Sequence, residues 1–125
     1  MSTPLYESGN VQLFKANLLH FRFKAVFKQG QFQRQVYFGN TKIKTYVDTH
    51  HEKDKEQWYK VHERALERAM DRGDYADPLV LEWKILYSEK TVSEGLEAYV
   101  RYLREPMTED EKIIYSSDDT NPFDE

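Results

Sequence analysis

Leu19-His20-Phe21-Arg22-Phe23-Lys24-Ala25-Val26-Phe27-Lys28, followed by Gln29-Gly30-Gln31 and then Phe32-Gln33-Arg34-Gln35-Val36-Tyr37-Phe38, is the stretch that sets the fold class. In the first limb Leu19, Phe21, Phe23, Ala25 and Phe27 alternate with His20, Arg22, Lys24, Val26 and Lys28. That period of two sends successive side chains to opposite faces of a strand. Gly30 supplies the turn, because a residue without Cβ enters positive φ at little cost. The return limb places Phe32, Val36 and Phe38 on one face and Gln33, Gln35 and Tyr37 on the other. The reading is a β-hairpin. Gly39-Asn40 marks a second turn, and Ile43, Thr45 and Val47 then alternate with Lys42, Lys44 and Tyr46, which predicts a third antiparallel strand over 42–47.

Upstream, residues 1–10 read as a loose lead-in around Pro4 and Gly9, and residues 11–14 as a short strand. Downstream, residues 48–73 run without Pro or Gly as far as Gly73, a natural residue just past a helix end. Thr49 and Glu52 have the spacing of a capping box, in which two side chains satisfy otherwise orphan N–H groups. Trp58, His62, Ala65, Leu66 and Ala69 recur at three and four, so a helix over 50–72 is expected to lie on the sheet. Asp77-Pro78 starts a second helix, over 78–88, with Asp as N-cap and Pro at the first helical position. Thr91 with Glu94 starts a third, over 92–104, ahead of Pro106. Thr108 and Glu111 offer one further cap, and residues 105–125 have the composition of a disordered or extended acidic tail. The expectation is one α+β domain over 11–104: a three-stranded antiparallel sheet, followed by and packed against about three helices.

A chain of 125 residues fits one domain with its own core. It contains no Cys, which excludes disulfides, thiolate metal ligands and a Cys nucleophile. No apolar run approaches the length of a membrane span, and the N-terminus lacks the regions of a signal peptide. The cytoplasm or nucleus, or a particle packaged from there, is the expected setting, without membrane insertion. The net charge of −4 hides a strong asymmetry. Residues 8–47 carry seven Lys/Arg and no Asp or Glu, whereas residues 105–125 carry one basic and eight acidic side chains. Such a division points to an anionic partner for the first part, or to a tail that screens it.

Three groups of residues are candidates for chemistry or recognition. The first is the set Arg22, Lys24, Lys28, Arg34, Lys42 and Lys44, which on three strands would present a basic sheet to phosphates or to an acidic protein surface, with Gln33, Gln35, Tyr37 and Tyr46 as hydrogen-bonding companions. The outer face of any one-sided sheet is polar; what exceeds that expectation is forty residues without a carboxylate. The second is Asp48, His50 and His51, which have metal-ligand chemistry and suggest a metal-dependent nuclease of ββα type. Consecutive residues at a helix start point in different directions, and the spacing is not that of the helical zinc motif. The third is Asn121-Pro122-Phe123 in the acidic tail, which is similar to the motif read by endocytic EH domains and implies a host adaptor as a further alternative. No nucleophilic triad, phosphate-binding Gly loop or dinucleotide fingerprint is present, and no cofactor is implied.

Phe23-Lys24-Ala25-Val26-Phe27, Val36-Tyr37-Phe38-Gly39, Thr45-Tyr46 with Asp48, Tyr59, His62-Glu63-Arg64, Leu81-Glu82-Trp83-Lys84-Ile85-Leu86-Tyr87-Ser88 and Thr91-Val92 follow one another in an order that resembles an uncharacterised family of small proteins encoded by large double-stranded DNA viruses of algae and amoebae. The resemblance spans about residues 19–103. It departs at Tyr87, where Trp is common, and at Val61-His62, where an Arg-His pair is common. It implies a sheet followed by helices in a viral protein, and no activity. Residues and resemblance together lead to the expectation of a non-enzymatic, virion-associated interaction protein whose partners are nucleic acid or other virion proteins.

Overall fold

The hairpin forms one half of a four-stranded antiparallel sheet, with its return strand at the edge. In the computed structural model, which describes residues 3–104, β3 (Phe21–Gln29) pairs with β4 (Phe32–Asn40) so that Phe23 faces Phe38, Ala25 faces Val36 and Phe27 faces Arg34. β2 (Val11–Lys15) adds on the other side of β3, with Leu13 opposite Ala25 and Val11 opposite Phe27. β1 (Tyr6–Ser8) completes the sheet beside β2, and the strand order is the sequence order. Alternation therefore gathers Val11, Leu13, Phe23, Ala25, Phe27, Val36 and Phe38 on one apolar face.

Two expectations about the sheet are corrected. Residues 1–10 are not all lead-in, because Gly9-Asn10, with Gly9 at φ 59°, makes a two-residue hairpin between Ser8 and Val11. Gly-Asn is a recognised connection of that kind. Residues 42–47 form no strand. Thr45 and Asp48 close a capping box instead: the Asp48 N–H donates to Thr45 Oγ1 at 3.1 Å and the Thr45 N–H to Asp48 Oδ2 at 3.1 Å. This local bonding wins over a short alternating pattern, and it starts the single turn α1 (Tyr46–Thr49).

The expected cap at Thr49 and Glu52 is thus one turn late. His50, at φ 54°, ends α1 in the left-handed region, and His51 is the backbone N-cap of α2 (Glu52–Asp71) without a side-chain cap bond. Gly73 lies just past the end of α2 at φ 69°, as expected. Asp77 caps α3 (Pro78–Leu81) by accepting from the Leu79 N–H at 2.8 Å. The expected helix over 78–88 then widens into a π-helical run, Glu82–Tyr87, in which the Ser88 N–H reaches back five residues to the Trp83 carbonyl at 2.8 Å. α4 (Val92–Arg104) matches the expected third helix, and its Glu94 N–H donates to Thr91 Oγ1 at 3.1 Å. The tail expectation, including Thr108, Glu111 and the Asn121-Pro122-Phe123 motif, falls outside the described residues.

The layers also differ from expectation. α3 and the π-helical run contact β4, and α4 contacts β1, while α2 lies beyond them, against α3 and the run. Val80, Leu81, Ile85 and Leu86 are completely buried. A segment that is apolar on all sides fits between two layers, whereas a one-sided stripe such as Trp58, Leu66, Ala69 and Met70 fits an outer helix. α4 crosses the π-helical run at Gly95, where a Cβ would collide with the Ile85 carbonyl oxygen and lie 2.6 Å from the Ile85 Cα. Only glycine permits that approach.

Candidate nucleic-acid interface

Helices cover one face of the sheet, and among the described residues no helix or strand lies over the other, here called the open face. The open face follows from the register: Phe14 opposes Lys24, Gln12 opposes Val26, Lys24 opposes Tyr37, Val26 opposes Gln35 and Lys28 opposes Gln33. A shallow groove of about 350 Å³ runs over Gln12, Phe14, Lys24, Lys28, Gln33 and Gln35. Its floor is Val26, only 3% exposed although it lies on the side away from the helices. Lys24 holds its ammonium 5.2 Å from the centre of the Phe14 ring, a cation–π placement that also fixes the ring. Glu7 is the one carboxylate on the four strands, and it accepts a 2.7 Å bond from the Gln12 amide.

Beyond the hairpin end of this groove is a second, larger depression of about 640 Å³, between the β3–β4 turn and the segment after α2. Phe27, Phe32, Tyr75 and Leu103 supply its apolar surface, and Arg34 and Arg104 its cations. Gln33 lines both depressions at the hairpin end, but strand parity sets them on opposite sides of the sheet: Phe27 pairs with Arg34 on the helix side, and Lys28 with Gln33 on the other.

The six basic residues expected on one sheet surface are therefore dispersed. Lys24 and Lys28 lie on the open groove, and Arg34 is at the rim of the second depression. Arg22 is committed elsewhere, donating to the Asp48 carboxylate and, at 2.9 Å, to the Ile43 carbonyl. It anchors the loop that replaced the expected third strand. Lys42 and Lys44 are exposed on that loop, and the Lys44 carbonyl accepts from the Tyr87 hydroxyl at 3.1 Å. Arg104 and Phe14 were not expected to contribute. Nothing local in the sequence indicates that the end of α4 returns to the β3–β4 hairpin.

Asp48, His50 and His51 do not form a ligand set. Burial pushes the Asp48 carboxyl up, but its hydrogen bonds with Thr45 and the Arg22 guanidinium outweigh this and hold it below the ordinary aspartate value. His50 sets its ring edge-on to Tyr46, with centroids 6.1 Å apart. Among the described residues no group of three His, Cys, Asp or Glu side chains is arranged to hold a metal ion.

A different carboxylate is the more unusual one. Glu82 opens the π-helical run and accepts from the Trp58 indole N–H on one oxygen and from the Gly39 N–H on the other, both at 3.3 Å. Burial raises its pKa above the ordinary glutamate value, and the two donors only partly offset that. Both oxygens are occupied by structural donors, so Glu82 ties α2 and β4 to the run rather than facing a ligand. Trp58 lies against Tyr87 and Trp83 in the same place, with centroids 4.7 and 5.7 Å apart and rings within 17° of parallel.

No family model, curated protein or solved structure matches this chain. Among the described residues no helix is long and apolar enough to cross a membrane.

Proposed function

We propose that this chain is a non-enzymatic interaction module that holds single-stranded nucleic acid along the open face of its sheet. The observation that carries the proposal is the composition of that face. Lys24 and Lys28 stand among Gln12, Gln33 and Gln35, with Phe14 and Tyr37 beside them and, among the described residues, no helix above. Backbone phosphates require cations, unpaired bases offer π-faces and amide-complementary edges, and a sheet bearing aromatic side chains serves both. Lysine protects sheet edges in many proteins, but β3 is an interior strand. Edge protection therefore does not account for Lys24 or Lys28.

Fluorescence anisotropy with a labelled oligonucleotide tests the reading. Lys24 and Lys28 as phosphate contacts predict that the logarithm of affinity falls with the logarithm of salt at a slope of about −1.4, roughly 0.7 per contact. Lys24→Glu with Lys28→Glu is expected to abolish measurable binding at moderate salt. Phe14→Ala is expected to weaken it about tenfold through lost stacking. An acidic protein surface as the true partner would retain the charge dependence and show none on Phe14; indifference of the oligonucleotide to all three residues removes the proposal.

The setting implied by the viral resemblance belongs to the same proposal, with packaged nucleic acid or a neighbouring virion protein as the partner. Recovery of the chain in purified particles supports it. Presence in infected cells together with absence from particles counts against it.

A further inference from the structure

The depression between the β3–β4 turn and the segment after α2 has a composition that binding along the open face does not require. Phe32 stands at the hairpin tip with 80% of its surface exposed, where a turn-flanking residue is ordinarily polar. Arg34 and Arg104 face the same concavity, and among the described residues neither has an ion pair or a side-chain hydrogen bond. Asp74 also lines it, but Arg72 lies 3.9 Å from that carboxylate. The opposite wall is fixed before any ligand arrives: Tyr75 makes an edge-to-face contact with Tyr102 at 5.1 Å, and its carbonyl accepts from the Tyr99 hydroxyl. Asn10, Gln29 and Gln33 supply amide groups around the opening.

We propose that this depression binds one nucleotide unit, with its phosphate on Arg34 and Arg104 and its base against Phe32 and Tyr75. The inference deepens the proposed function and rests on it for the choice of ligand: Gln33 borders both depressions, and a strand that leaves the open face round the hairpin tip arrives at this site. Each element of the ligand has a matching element here. Guanidinium forks suit phosphate oxygens, exposed aromatic rings suit a base face, and side-chain amides suit base edges. The space, about 640 Å³, lies in the range of small-ligand sites. An anion without a ring would use the arginines and leave Phe32 and Tyr75 uncovered.

Isothermal titration of the full chain with adenosine monophosphate, uridine monophosphate and inorganic phosphate tests the site, beside titration with a short oligonucleotide. Both mononucleotides are expected to bind, and inorganic phosphate at least tenfold more weakly. Arg34→Ala is expected to lower mononucleotide affinity by about tenfold or more, and Phe32→Ala by about tenfold. Lys42→Glu with Lys44→Glu, an equal or larger change of charge on the exposed loop, is expected to leave mononucleotide affinity unchanged. Phe32 and Arg34 are both exposed, and matched thermal melts of each variant confirm that folding is preserved. Inorganic phosphate binding as tightly as the mononucleotides, or mononucleotide binding indifferent to Arg34 and Phe32, overturns the inference. Oligonucleotide binding without mononucleotide binding overturns the pocket and leaves the open-face reading standing. Mononucleotide binding without oligonucleotide binding has the reverse meaning.

Discussion

α2 and the segment from Pro78 to Tyr87 divide the helical half of the molecule in opposite ways. α2 has twenty residues and buries four of them, Trp58, Leu66, Ala69 and Met70. The shorter segment has ten residues in two pieces and buries seven: Val80, Leu81, Trp83, Lys84, Ile85, Leu86 and Tyr87. The long helix is an outer layer and the short segment is the middle one. Length and periodicity identify a helix, but apolar density around its whole circumference decides whether it lies between layers. Lys84 shows how complete that enclosure is, since its ammonium lies 4.8 Å from the centre of the Tyr102 ring.

If the short segment is the centre, damage to it must exceed damage of the same kind to α2. The largest effect is expected from Gly95→Ala, which drives a methyl group into the Ile85 backbone where α4 crosses the run. Backbone atoms cannot rotate aside, so the cost is expected at or above the upper end of the about 1–3 kcal/mol typical of overpacking. Loss of a cooperative thermal transition, or a much lowered one, is the expected readout. Next in size is Leu86→Ala, a fully buried side chain, with an expected loss of about 2–5 kcal/mol by urea unfolding. Val61→Ala on α2, where the side chain is 76% exposed, is expected to stay within about 0.5 kcal/mol. Comparable losses at positions 86 and 61 would break the contrast.

The smallest effect tests the junction between the two regions. Because burial raises the Glu82 pKa, ionisation is less favourable in the folded chain than in the unfolded one. The contribution of this group is therefore fully present below the unfolded glutamate value of about 4.3 and declines as pH rises through the higher folded value. Glu82→Gln keeps an acceptor for Trp58 or Gly39 and removes the charge. It is expected to flatten stability against pH in that window and to raise the melting temperature slightly at neutral pH. A variant that is less stable at pH 7 than the parent would mean that the ionised form is the one the Trp58 and Gly39 donors require.

Much of this architecture is legible one segment at a time. The alternation from Phe21 to Phe38, the Asp77-Pro78 start and the apolar spacing of α4 each predict their element, because the controlling interactions are local. The failures have different causes. Residues 42–47 alternate as a strand would, but Thr45 finds Asp48 three residues on and Arg22 holds Asp48 from across the chain. The Gly9-Asn10 hairpin differs: its turn signal is local, but β1 has only three residues, too few to show an alternation. For the candidate sites, Lys24 and Lys28 share a face because strand parity requires it. The meeting of Arg104 with Arg34 and Phe32 depends on how α4 crosses the molecule, and no spacing within either segment encodes that. Of the four basic residues that are not on that face, Arg34 is turned away by strand parity, and Arg22, Lys42 and Lys44 are drawn off for the same reason as the missing strand.

Strand order equal to sequence order has a consequence for synthesis on the ribosome. β1 to β4 join through short turns and can pair as they emerge, but the side chains that cover their apolar face come from Pro78 onward. During the time taken to add those residues, a formed sheet would present Leu13, Ala25, Val36 and Phe38 to solvent, and the outward edge of β4 would have neither Glu82 at Gly39 nor α3 beside it. The nascent chain is then most exposed to edge-to-edge association with another copy. Stalling synthesis before residue 78 is expected to enrich such aggregates, and stalling after α4 has emerged is expected to relieve them.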